Sequence, residues 1–169
     1  MARRERAPLR AVSIRDGTSL DAYEILRLWQ ELMAVHADVD PRFALADDAE
    51  HAFMQYYEGA VSRDDYRVRV AEERDGTIVG FAIACILANT SVYRTRWIGY
   101  VNDLCVTESR RGQGIGRVLA FDAFRWLKEN GAQSLEVYVA RKNDAAQRFW
   151  RRIGARDYLD RLSIEVPNE

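Results

Sequence analysis

Residues 97–129 limit the fold more than any other stretch of this chain. Residues 97–106 read as a largely apolar strand, and Thr107-Glu108-Ser109-Arg110-Arg111-Gly112-Gln113-Gly114-Ile115-Gly116-Arg117 follows at once. Residues 114–129 then repeat apolar positions at helical spacing until Asn130-Gly131 stops them. A strand passing through a glycine-rich turn straight into a helix needs a sheet for that helix to lie against. It also leaves the first amides of the helix, at its positive dipole end, pointing outward beside the strand. Three glycines let the backbone approach an anion closely, and Arg110, Arg111 and Arg117 add cations. Such a turn suits a phosphate or pyrophosphate.

The spacing narrows the ligand. It is Gly-x-Gly-x-Gly, and Arg117 stands where a dinucleotide fingerprint places its last glycine. No Gly-Lys-Ser/Thr follows, which excludes a P-loop. A nucleotide-dependent enzyme is therefore weakly supported. A glycine turn of structural meaning alone would not need three arginines.

Elsewhere the pattern reads strand (9–15), helix (from Thr18 or Ser19 to about 33), helix (48–60), then strands at 66–72 and 77–87 joined by Arg74-Asp75-Gly76. After the long central helix come a strand at 135–139, a short helix opened by Asn143-Asp144 and closed by Gly154, and a last strand or pair at about 158–166. Hairpin-length links early and helical links late predict an α/β (α+β) fold, a mixed sheet covered by helices on both faces. The length of 169 residues fits a single domain with residues 1–7 as a flexible arm. A net charge of -1, with 25 basic and 26 acidic side chains, argues against a nucleic-acid partner. Cys85 and Cys105 lie among apolar residues without zinc-site spacing, so no metal is expected. No apolar run approaches the roughly 18 residues of a membrane span, and the basic N-terminus lacks the apolar segment of a secretory signal. These features predict a cytoplasmic protein.

Arg111-x-x-Gly114-x-Gly116 after a strand ending Leu104-x-Val106 resembles the acetyl-CoA signature of the GNAT superfamily of N-acetyltransferases. Asn143-x-x-Ala146-x-x-Phe149 followed by Gly154 resembles the later CoA-binding motif of that family. The order of elements agrees over nearly the whole chain. The resemblance implies a mostly antiparallel central sheet of about six to seven strands flanked by about four helices, with the fourth and fifth strands splayed at a bulge. It implies acetyl-CoA as acyl donor, its pyrophosphate on the amides of Gly112, Gln113, Gly114, Ile115 and Gly116, with Arg111 and Arg117 near the phosphates. The strand at Leu104, Cys105 and Val106 would pair with the pantetheine arm, and Asn143 would touch the cofactor. A primary amine, of a small molecule rather than a protein, would attack the acetyl carbonyl directly. The alternatives are a protein N-terminal or lysine acetyltransferase and a non-catalytic acyl-CoA sensor.

The family's frequent tyrosine acid falls on Trp150, whose indole has no ionisable proton of useful pKa. That leaves Tyr138 or Tyr158 as proton donor to the thiolate, or a thiolate that leaves unaided. Some relatives carry a glutamate base where this chain has Asn102, and the neighbouring Asp103 is the candidate base here, with Glu136 next. Glu108 reads as loop surface, and His36 and His51 as ordinary surface histidines. Residues 36–43 join the first two helices, and Asp38 and Asp40 there are candidates for attracting a cationic amine. Phe121, Phe124 and Trp126 give the central helix surplus aromatic surface, enough for a contact between two copies.

Overall fold

The computed structural model describes residues 12–164. The proposed arm at 1–7 and the start of the first strand lie outside them. The chain forms two compact units, one ending at Tyr138 and one beginning at Val139.

The first unit holds β1 (Ser13–Asp16), α1 (Ala22–Val39), α2 (Ala49–Ser62), β2 (Tyr66–Glu72), β3 (Ile78–Ala88), β4 (Trp97–Val106), α3 (Ile115–Glu129) and β5 (Ser134–Glu136). The sheet order is β1-β2-β3-β4-β5. Every pair is antiparallel except β4 with β5. Short turns make this order: Gly76, at φ 87°, closes the β2–β3 hairpin. A parallel neighbour to β4 needs a crossover, and α3 supplies it.

Two apolar layers sandwich the sheet. On one face Ile25, Leu28 and Trp29 of α1 and Phe53, Tyr57 and Ala60 of α2 pack on Val68, Val70, Phe81, Ile83 and Cys105. Their spacing of three and four residues puts them on one side of each helix, and Trp29 stacks on Phe53 at 4.4 Å. On the other face Ile115 and Leu119 of α3 meet Ala71, Val79 and Ala82, with Leu104 and Val106 at the margin. β3 is buried over Ile78–Cys85, as a strand covered on both faces must be. At Gly99 a Cβ would come within 2.9 Å of Leu127 and Leu135, so the missing side chain lets α3 settle against β4 and β5.

The second unit contains α4 (Asp144–Arg152). Gly154, at φ 111°, follows its end. The expected closing strand does not form: residues 158–164 have no regular structure, and residues 165 and 166 lie outside the described set. Leu159, Leu162 and Ile164 are more than 80% exposed and have no strand partner among the described residues. Among the described residues the sheet therefore has five strands rather than six to seven, and four α-helices, the number expected. The fifth strand is also shorter than 135–139, ending at Glu136.

Candidate active site

The site begins with an irregularity in β4. Asp103 pairs with Ile83 and Val101 with Ala84, which leaves Asn102 as an extra residue, a β-bulge. On its other side β4 pairs with β5 only over Ile98, Gly99 and Tyr100. From Val101 to Val106 the outer edge of β4 has no β5 partner, and apart from the Val106 carbonyl, which accepts from Arg111, its outward amides and carbonyls can receive an extended chain. The side chains there are already placed. Leu104 and Val106 pack toward α3, and Cys105 is buried with its Sγ donating to the Leu28 carbonyl at 3.3 Å. Burial pushes the Cys105 thiol up to about 12, which makes it an inert wall. What Leu104, Cys105 and Val106 offer is main chain.

That edge leads into the glycine turn. Glu31 of α1 anchors its start, accepting from the Thr107 hydroxyl at 3.0 Å and the Glu108 amide at 3.2 Å. Gly112 and Gly114 adopt φ of 76° and 89°, values an L side chain strains to reach. Gly114 is the N-cap of α3 and brings no side chain to cap it. The amides of Ile115, Gly116 and Arg117 are thus those a helix start leaves without intrahelical acceptors, and Ile115 anchors them by burying its side chain. Arg111 is exposed and its Nε donates to the Val106 carbonyl at 2.9 Å. Gln113 reaches the Ser109 carbonyl at 3.4 Å, and Arg117 lies over the Phe121 ring at 5.3 Å. Arg110 is otherwise engaged: it forms a two-pronged pair with Glu73 at 2.6 and 3.1 Å. Of the three arginines around the turn, Arg110, which was not assigned to the phosphates, serves the fold.

On the α1/α2 face of the bulge lies a polar cluster in an otherwise apolar layer. Asp103 shares that face with its ladder partner Ile83. The Tyr56 hydroxyl of α2 lies 3.5 Å from its Oδ2, at the long limit of a hydrogen bond. Burial pushes the Asp103 carboxyl up to about 6, and the Tyr56 contact opposes this only in part. Asn102 accepts from the Cys85 thiol at 3.2 Å. Burial, then the neighbouring Asp103, hold the Tyr56 phenol well above its ordinary value. Beside this group a row crosses the sheet: Tyr66 pairs with Cys85, Cys85 with Tyr100, and Tyr100 with Glu136. Tyr56 meets Tyr66 edge-on at 6.2 Å.

The other candidates fall as follows. Tyr138 is 76% exposed and stacks on Tyr100 at 5.9 Å. Tyr158 is equally exposed and carries no strand. Trp150 is buried, edge-on to Phe149. The Asn143 Oδ1 accepts from the Ala146 amide at 3.0 Å, so it caps α4. Asp40 is buried and held by Arg42 through both carboxylate oxygens, at 2.9 and 2.8 Å, so it is no lure for an incoming amine. Asp38 is exposed. His36 packs by Phe43 at 5.2 Å with burial lowering its pKa, and His51 contacts Gln55 on the surface. Tyr56, Tyr66 and Tyr100 were not among the sequence candidates. Tyr56 alone had a visible signal, since it follows Phe53 by three residues on the same helix.

A strand edge opened by a bulge and running into an uncapped, glycine-led helix start suits an extended ligand that ends in a phosphate. The profile of the Acetyltransferase (GNAT) family matches residues 25–155, and this chain belongs to that family. An uncharacterized N-acetyltransferase of Archaeoglobus fulgidus is 36% identical over 95 residues, which is 56% of this chain and 63% of that protein. The chain thus spans less than two thirds of that relative's length. Among solved structures, a mutant of the BH1408 protein of Bacillus halodurans superposes with a TM-score of 0.80 at 24% identity, covering 92% of this chain and 99% of that one. The aminoglycoside N-acetyltransferase AAC(6')-Iy in complex with CoA superposes with a TM-score of 0.70 at 18% identity, over 92% of this chain and 95% of that one. At those identities the likeness to solved structures is one of fold.

Proposed function

We propose that this protein is an acetyl-CoA-dependent N-acetyltransferase that moves the acetyl group to a primary amine of a small molecule by direct attack within a ternary complex. The observation that carries this reading is the free edge of β4 from Val101 to Val106, which runs into the uncapped N-terminus of α3. A pantetheine arm fits the first and a pyrophosphate the second. The family membership and the CoA complex of a protein of the same fold support the same ligand. The single acetyltransferase domain we infer spans both compact units, because the family profile crosses their boundary. Acetyl-CoA as co-substrate favours a cytoplasmic setting, and no described helix is long and apolar enough to cross a membrane.

In this reading the amides of Gly112 to Gly116 bind the pyrophosphate, with Arg111 and Arg117 beside it. Asp103 is the general base. An alkylamine of pKa about 10 arrives protonated, and a carboxylate with a pKa of about 6 is ionised at neutral pH yet more basic than an ordinary aspartate. Once the proton is on Asp103, the amine nitrogen bonds to the acetyl carbon. The carbonyl oxygen takes up charge near the Val106 amide. The C–S bond then breaks, the nitrogen gives its second excess proton to water, and the thiolate leaves to be protonated by solvent or by Tyr138. Asn143, which caps α4, is a further proposed cofactor contact, supported by the family likeness alone.

The test is thiol release from acetyl-CoA across a panel of amines, together with calorimetric CoA binding. Amine-dependent release supports the proposal. CoA binding without release from any amine, including basic peptides, refutes it in favour of a sensor. Release with peptides alone moves the acceptor to proteins.

A further inference from the structure

Among the described residues on the α1/α2 face near the open edge, two carboxylates, Asp103 and Glu136, have neither a cation nor a backbone amide as partner; Tyr56 touches the first. Glu136 ends the row Tyr66, Cys85, Tyr100, Glu136, all of which point to one side because ladder partners do. Cys85 follows Ile83 by two residues, and Ile83 faces α1 and α2, so this is the face that carries Asp103. Tyr100 is the ladder partner of Glu136, and its phenol ring stacks on that of Tyr138 with 12° between their planes. Glu136 is half-buried, while Tyr138 is exposed and reachable from solvent. A carboxylate beside two phenols is suited to an ammonium group, which gains charge pairing from the first and a cation–π contact from the second.

We infer that Glu136, Tyr100 and Tyr138 form an acceptor subsite for a second ammonium group, so that the substrate is a compact diamine whose other nitrogen reacts at Asp103. Successive same-face rows lie roughly 7 Å apart along a strand and neighbouring strands roughly 5 Å apart. The backbone positions of Asp103 and Glu136 are then about 8–9 Å from each other. That span matches a dication with a few carbons between its nitrogens. It is too short for two ends of an extended peptide. This inference rests on the acetyltransferase reading and refines its acceptor.

The experiment compares kcat/KM for butane-1,4-diamine and butan-1-amine at saturating acetyl-CoA, in the wild-type protein, Glu136→Gln and Glu136→Asp. The expected wild-type preference for the diamine is tenfold or more. Glu136→Gln brings the ratio near one, with the change in the KM of the diamine and the KM for acetyl-CoA unmoved. Glu136→Asp, which keeps the charge, retains most of the preference and controls for a folding defect. Turnover of both amines at equal efficiency, or an unchanged ratio in Glu136→Gln, overturns the diamine subsite and leaves the acetyltransferase reading standing. Absence of turnover with every amine overturns both.

Discussion

Replacing Asp103 by Asn should stabilise the protein at pH 8 while removing its activity. The carboxyl stands at about 6 rather than 3.8, chiefly because burial disfavours its charge. The folded chain therefore binds this proton more tightly than the unfolded chain. Between about pH 4 and pH 6 the native state carries the extra proton, so stability falls as pH rises through that window. Above it the cost remains constant. The full displacement corresponds to about 3 kcal/mol, and water entering the open edge reduces the realised value to roughly 1–3 kcal/mol. Asparagine keeps the shape and carries no charge. The expected gain in urea or thermal denaturation is that amount at pH 8, a rise in Tm of about 3–9 °C for a chain of this size, shrinking to under about 1 kcal/mol near pH 4. Turnover should fall at least about 100-fold through loss of the base. A stability change equal at both pH values, or any loss of stability at pH 8, would refute the claim that Asp103 is held charged against its surroundings.

Three further outcomes follow from the same geometry. Gly116→Glu sits within helical backbone and puts a carboxylate among the first-turn amides; CoA affinity by calorimetry should drop at least tenfold with an unchanged far-ultraviolet spectrum, and intact affinity would displace the pyrophosphate from α3. Tyr56→Phe removes the contact that lowers the Asp103 pKa, so the acid limb of the pH–rate profile should move to higher pH, and a move to lower pH would contradict the pairing. Arg111→Met should weaken CoA binding several-fold whereas Arg110→Met should leave binding intact and slightly lower thermal stability through the lost Glu73 pair; equal binding losses would place Arg110 at the phosphates.

The centre of the fold was legible because local and tertiary signals agree there. β2 and β4 fall on the expected residues, and β3 is displaced by one, since Asp75-Gly76 and the glycine turn punctuate strongly apolar runs. The bulge at Asn102 was expected only through the family likeness, because a register shift is a property of two strands and the sequence of β4 alone does not contain it. Pairings across long separations were equally hidden. Arg110 meets Glu73 across 37 residues and Tyr56 meets Asp103 across 47, so neither the structural role of Arg110 nor the phenol beside the base could be read locally. The closing strand failed for a different reason: alternation of Leu162 and Ile164 states a preference, and pairing requires a neighbour with open hydrogen-bonding groups.

The extra residue at Asn102 also constrains how this chain can change over time. Deleting Asn102 would restore an even ladder, Val101 opposite Ala84 and Asp103 opposite Ile83, with every side chain still on its present face. The apolar layers would survive such a loss, but the local bend and extra twist of the strand would go, at the place where β4 parts from β5. Change at this one position is thus judged by the ligand edge and not by the core, and a descendant that lost it could keep the fold while surrendering the opening.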